Sequence, residues 1–297
     1  MTQLLQTQVS TGALEATRLP ASSSWQLGVL SALILWLYGS TLIHLGAQWW
    51  QNPNFSHGFF VPLFSAWVVW QERDGLARIS SRPSWSGLAI IAVAMFTLTV
   101  GQMGAELFLA RSSFLLVLAG VTVLLYGWSF FRAVFFPWAF LVLMIPIPAI
   151  IFNPITFRLQ LLASRVAAIT LPIFGVPILR EGNVINLPSM ALEVAEACSG
   201  IRSLISLITL AIIYGYLTER RRWARWVLAL ASVPIAVVAN SVRIVGTGLL
   251  VQYWDPDKAE GYFHASWGVI IFFVSLVMLY ALHRLICVIW PEKGVAS

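Results

Sequence analysis

The sequence predicts an all-α polytopic membrane protein of about eight transmembrane helices, with a small outer-face segment containing a β-hairpin. Three observations lead there. Of 297 residues, 59% are hydrophobic and 10% charged, with a mean hydropathy of +0.83, whereas a soluble domain carries roughly a quarter charged residues. From Ala21 to Gln71 there is no Asp, Glu, Lys or Arg. Apolar runs then recur along the chain, and Trp49, Trp50, Trp70, Trp128, Trp223, Trp226 and Trp254 stand at their ends, as interfacial anchors do.

Residues 1–24 are rich in Thr, Ser and Gln and have no small-residue cleavage pattern behind a short apolar core. They read as a retained cytoplasmic tail. The charge-free stretch holds two spans, Trp25–Leu45 and a short Gly58–Trp70, turning around Gln48–Asn54. Further runs lie near Gly87–Val100, Phe114–Trp128, Val134–Phe152, Leu204–Leu217, Trp226–Trp254 and Ala265–Ile289; a helical span needs about 20 residues. The integral domain is therefore 25–290, and 291–297 is a second cytoplasmic tail.

A formal charge of +6 would suit nucleic acid, but the basic residues sit in short loops between apolar runs and report orientation instead. Arg73, Arg78 and Arg82 mark one loop, Arg220, Arg221, Arg222 and Arg225 another, and Arg284 with Lys293 the tail. Eight crossings with both termini in the cytoplasm put all three inside, as the positive-inside rule requires. The opposite loops carry Glu106 with Arg111, and the segment Asp255–Glu260. The expectation is a multi-pass membrane protein with both termini in the cytoplasm.

The longest inter-span segment, 153–197, then lies outside. Arg158 and Arg165 among aliphatics predict an interfacial helix over Asn153–Leu171. Ile178–Leu187 predicts a hairpin turning at Gly182-Asn183, and Leu192 and Val194 around Glu193 predict a third strand. Arg158, Arg165 and Arg180 read as a solvated or headgroup-facing set.

That segment delivers the chain to Glu196-Ala197-Cys198-Ser199-Gly200-Ile201-Arg202 and then to an apolar run. A helix N-terminus favours a thiolate, but only by about 0.3–1 kcal/mol, less than the 1.36 kcal/mol of one pKa unit. Cys198 therefore needs a cation. Arg202 is the nearest in sequence. Arg243, in Asn240-Ser241-Val242-Arg243-Ile244, lies inside an apolar run, where a charge costs at least about 2.5–3.5 kcal/mol. It either snorkels, pairs structurally with Glu193 or Glu196, or faces a cavity and stabilises an oxyanion, with Asn240 one turn earlier in support. His264 begins the last span, either as an interfacial side chain or as the acid–base partner of a thiol. His57 reads as a cap, a gate or a substrate contact. His44, His283 and Cys287 read as structural residues near span ends, Cys287 without a partner. Cys198 and Cys287 fall on opposite sides of the bilayer and cannot form a disulfide within one chain.

Cys198, His57 and His264 share no zinc-ligand spacing, and neither His-Glu-x-x-His nor Gly-x-Ser-x-Gly occurs. No metal and no cofactor is expected.

The ordered blocks Glu196–Arg202, Asn240–Ile244 and His264 with Gly268, preceded by Ser56-His57-Gly58-Phe59-Phe60-Val61-Pro62, resemble the motifs of the exosortase/archaeosortase family. The resemblance implies a membrane cysteine transpeptidase or protease. Its substrates would be exported proteins with a C-terminal sorting tail: a Pro-Glu-Pro type motif, a membrane span and a basic end. By that resemblance Cys198 is the nucleophile, Arg243 the transition-state stabiliser and His264 the acid/base. Glu193, Glu196, Ser199, Arg202, Asn240 and His57 are the supporting candidates. The rival from another class is a transporter or lipid-linked saccharide carrier, with Arg243 as an intramembrane anion site on a Gly-broken seventh helix.

Overall fold

The computed structural model describes residues 23–188, 190–193, 201–253 and 262–291; at 23, 24, 26, 193 and 262–266 it describes the backbone alone. Ten α-helices and three short strands occur among the described residues. Seven helical segments are long and apolar enough to cross a membrane, and Phe135–Met144 is a shorter apolar one. Large apolar side chains stay exposed along these helices, among them Trp36, Phe96, Leu230 and Val277. A soluble monomer does not expose so much apolar surface, so lipid is the solvent for these faces. The chain is a multi-pass membrane protein.

The chain divides into two units, 1–52 with 58–146, and 53–57 with 147–297. The first contains α1 (Ser23–Gln51), α2 (Phe60–Gln71), α3 (Arg73–Leu76), α4 (Ser86–Met103), α5 (Leu107–Ala133) and α6 (Phe135–Phe140). Its core gathers Tyr38 of α1, Ala94 and Leu98 of α4, and Ala110 and Val117 of α5. Tyr38 and Ser113 share a buried hydrogen bond of 3.0 Å, so neither hydroxyl is left unsatisfied in the apolar interior. Arg111, expected in a loop, instead lies within α5 and is buried.

The second unit contains α7 (Ala149–Thr170), strands β1 (Leu179–Glu181), β2 (Val184–Asn186) and β3 (Ala191–Glu193), and helices α8 (Ile201–Thr218), α9 (Arg222–Tyr253) and α10 (Tyr262–Ile289). The strands form one antiparallel sheet, with Arg180 opposite Ile185 and Ile185 opposite Leu192. The first turn uses Gly182 at φ +65°, the left-handed conformation that glycine adopts without strain. Ile185 is fully buried among Ala163, Ala167, Leu171, Val245 and Val251, which fastens the hairpin onto α7 and α9. The hairpin and its third strand lie where the alternation of side chains puts them.

Two helix boundaries differ from the sequence reading. Asn153–Leu171 is not a separate interfacial helix; it continues a helical run over Ala149–Phe174 that is long and apolar enough to span. Pro154 lies inside α7, where it removes one i→i−4 hydrogen bond without ending the helix. The run Val134–Phe152 does not form a single helix. Prolines at 146 and 148 end it, and α7 starts at Ala149.

Candidate functional site

The second unit holds the described residues that the sequence singles out for chemistry. Arg243 lies in α9, ten residues before its end at Tyr253, and is half-buried. Its guanidinium packs on the backbone of α10 at Gly268: a Cβ added there would stand 3.1 Å from Cζ and from Nη2. Three residues along α9, a Cβ on Gly246 would meet the Trp267 indole at 3.0 Å. Glycine at both places lets the two helices approach closely. Asn240, one turn before Arg243, is buried, and Thr247 one turn after donates to the Arg243 carbonyl at 3.0 Å.

These contacts fix the direction of packing. Arg243 meets Gly268 and Gly246 meets Trp267, while at the other end of the same pair Trp223 stacks edge-on against Trp290. Rising numbers on α9 face falling numbers on α10, so the helices are antiparallel. Position 264 stands one turn before Gly268 along α10, about 6 Å along the axis.

Arg202 is in the first turn of α8, and its Nε donates to Asn54 Oδ1 at 3.3 Å. Asn54 and His57 are both buried in the 3₁₀ turn Pro53–Phe59. The sequence reading placed Arg202 beside Cys198 and did not foresee Asn54 as its partner. The two are 148 residues apart in the chain, and nothing short of the fold pairs them. In the first unit, Gly58 lies against the Trp49 indole, where a Cβ would approach to 2.3 Å. Trp49 Nε1 donates to the Met144 carbonyl at 2.9 Å. That contact gives the early Ser-His-Gly block a packing reason for its glycine.

Cys198, Glu196 and Ser199 lie outside the described residues. Glu193 and His264 are described as backbone only, Glu193 paired with Val184 in the sheet and His264 in the first turn of α10. Arg180, read as headgroup-facing, instead donates to the Gly182 carbonyl at 2.8 Å and to Ser164 Oγ at 3.3 Å.

A second polar cluster, at the opposite end of α8, α9 and α10, corrects the reading of Cys287 as partnerless. Its Sγ lies 3.5 Å from His283 Nε2 and 3.8 Å from Arg221 Nη2. Glu219 receives Arg221 on both oxygens, Nε to Oε1 at 2.9 Å and Nη2 to Oε2 at 2.7 Å. This two-pronged bond holds the Glu219 carboxyl down at about 2, against the opposing effect of its burial. Arg221 also donates through Nη1 to the Trp290 carbonyl.

The family model for transmembrane exosortase (Exosortase_EpsH) matches residues 49–281. The chain belongs to the exosortase family. The match runs from Trp49 into α10 and takes in Asn54, Arg202, Arg243 and Gly268. Membership implies a transmembrane enzyme family that processes substrates carrying sorting signals. Neither the curated proteins nor the solved structures return a significant match.

Proposed function

We propose that this exosortase is a cysteine transpeptidase or protease that cleaves the C-terminal sorting tail of exported proteins. Cys198 is its nucleophile, Arg243 its oxyanion holder and His264 its acid and base. The observation that carries this reading is the seat of Arg243 on Gly268, one helical turn from position 264. The α8–α9 register adds support. Gly215 faces Arg225 and Leu228, across a connection short enough to make the helices antiparallel neighbours. Moving about 15–18 residues up α9 leads from these contacts to Arg243, and moving back along α8 from Gly215 leads to its start at Ile201, three residues after Cys198 in the sequence. The start of α8, the Arg243 turn of α9 and the start of α10 thus lie toward the same end of these three helices.

In the proposed reaction the Cys198 thiolate adds to the carbonyl carbon of the scissile peptide. The carbonyl π pair moves onto oxygen, where the Arg243 guanidinium stabilises the charge. As the C–N bond breaks, His264 gives its proton to the leaving amine, and the acyl group stays on sulfur as a thioester. An acceptor amine or water then attacks that thioester, losing its proton to His264 and releasing the Cys198 thiolate. Arg202, held by Asn54 in the first turn of α8 and four residues after Cys198 in the sequence, is the supporting cation of the proposal. The positive-inside pattern puts this end of the bundle on the periplasmic side of the inner membrane.

The carrier alternative called for a seventh helix broken at its glycines. Instead α9 runs unbroken from Arg222 to Tyr253, and Gly246 and Gly248 pack against Trp267 and Leu171. The deciding experiment co-expresses a tagged protein bearing a Pro-Glu-Pro type tail with the wild-type enzyme or with Cys198→Ala. The wild type yields the shortened product and the variant leaves the precursor intact. Normal processing by the variant overturns the proposal.

A further inference from the structure

The cluster around Cys287 has no part in that mechanism, since Arg221 and Arg243 are 22 residues apart on one helical line, about 30 Å. Its geometry nevertheless is that of a ligand set. His283 and Cys287 are four residues apart on α10 and so share one helix face. Glu219, in the short connection between α8 and α9, faces them. His283 Nε2 lies 3.6 Å from Glu219 Oε2 and 3.5 Å from Cys287 Sγ, and one donor atom of each residue falls within 4.8 Å of the others. Tetrahedral zinc, with bonds of about 2.3 Å to sulfur and about 2.0–2.2 Å to nitrogen and oxygen, separates its ligand atoms by about 3.3–3.6 Å.

We propose that Glu219, His283 and Cys287 bind a zinc-type divalent cation, which clips the α8–α9 connection to the last helix. The donor set selects the metal. Thiolate, imidazole and carboxylate suit zinc, whereas magnesium and calcium take oxygen ligands. Tyr214 supplies the outer support that ligating histidines need. Its hydroxyl is 2.6 Å from His283 Nδ1; with Nδ1–H donating to Tyr214, the Nε2 lone pair is free for the metal. Arg221 does not compete for the same electrons. Each carboxylate oxygen has two acceptor positions, so Oε2 can serve the guanidinium and a cation together. Glu219 and His283 are buried, which limits competition from water.

The test uses the full-length protein in detergent, purified through a histidine-free tag and carrying Cys198→Ala, so that Cys287 is its sole thiol. After chelator treatment, Co²⁺ is titrated in and the thiolate-to-cobalt charge-transfer band is followed. The band should appear and saturate at one ion per chain. Buffered Zn²⁺ should slow maleimide labelling of Cys287 by about 10-fold or more, reversibly with chelator. Cys287→Ser should abolish the band, and Tyr214→Phe should keep it while weakening affinity about 10–100-fold. Absence of the band with an unchanged labelling rate, or metal binding that Cys287→Ser leaves intact, overturns the proposal and leaves an ion-pair network alone. Should Cys287→Ser fail to fold, the band and the labelling protection in the parent protein still decide. The Cys198→Ala background is inactive under the proposed mechanism, so neither result depends on that mechanism.

Discussion

The Arg243 guanidinium rests on Gly268, with Cζ 3.1 Å from where a Cβ would be. A methyl group there forces the end of a flexible side chain to move, which costs little in folding energy. Gly to Ala in a helix interior itself adds about 0.5–1 kcal/mol of stability. Gly268→Ala should therefore unfold at an equal or higher temperature while cleaving sorting-tail substrates far more slowly. A misplaced catalytic group costs on the order of 10²-fold. Thermal unfolding in detergent beside a processing assay separates the two effects. A variant that keeps full activity would show that the seat of Arg243 does not matter to turnover.

Replacing Arg243 itself probes the charge and its shape. Arg243→Ala should lower kcat by about 10²–10³-fold, the loss that follows removal of one oxyanion donor, with a much smaller change in KM. Arg243→Lys should recover only a fraction, because an ammonium is a point charge and lacks the planar pair of donors. Equal activity of the Lys variant and wild type would assign Arg243 a charge role without directional hydrogen bonding.

Much of this fold was legible because lipid-facing helices must be long and apolar. Helices α1, α4, α5, α8, α9 and α10 follow runs that the sequence displays directly, and the turn at Gly182-Asn183 follows from its residue types. Arg158 and Arg165 pointed to an interfacial helix at α7, but two arginines in a 26-residue apolar run do not outweigh its length, and Pro154 removes one helix hydrogen bond without ending the helix. The prolines at 146 and 148 did the breaking instead. In the candidate site, Arg243 announced itself as a charge in an apolar run. Its seat on Gly268 and the bond from Arg202 to Asn54 join residues distant in sequence, so only the fold shows them. The sequence reading left Cys287 without a partner; His283 stands four residues before it on one helix face, and Glu219, the residue that turns the pair into a cluster, arrives from another segment.

The bond from Arg202 to Asn54 should couple the start of α8 to the 3₁₀ turn at Pro53–Phe59. Hydrogen bonds with one charged partner contribute about 1.5–3 kcal/mol, and a double-mutant cycle isolates that amount. Asn54→Ala and Arg202→Gln should each lower kcat/KM, and together cost less than the sum of the two. Strict additivity would mean that the bond carries no energy relevant to turnover.

Ile185 tests whether the small sheet supports the site or merely decorates it. It is fully buried on β2 in the core cluster that also holds Ala163 and Ala167 of α7 and Val245 of α9, two residues beyond Arg243. Ile185→Ala removes buried aliphatic volume and should cost about 2–5 kcal/mol, lowering the unfolding temperature in detergent. Because the weakened cluster includes the turn of α9 that follows Arg243, kcat should also fall at temperatures where the variant remains folded. Ile185→Val should cost only about 0.5–1.5 kcal/mol and leave turnover near that of wild type. If Ile185→Ala loses stability but turns over normally while folded, the hairpin anchors the chain without positioning Arg243.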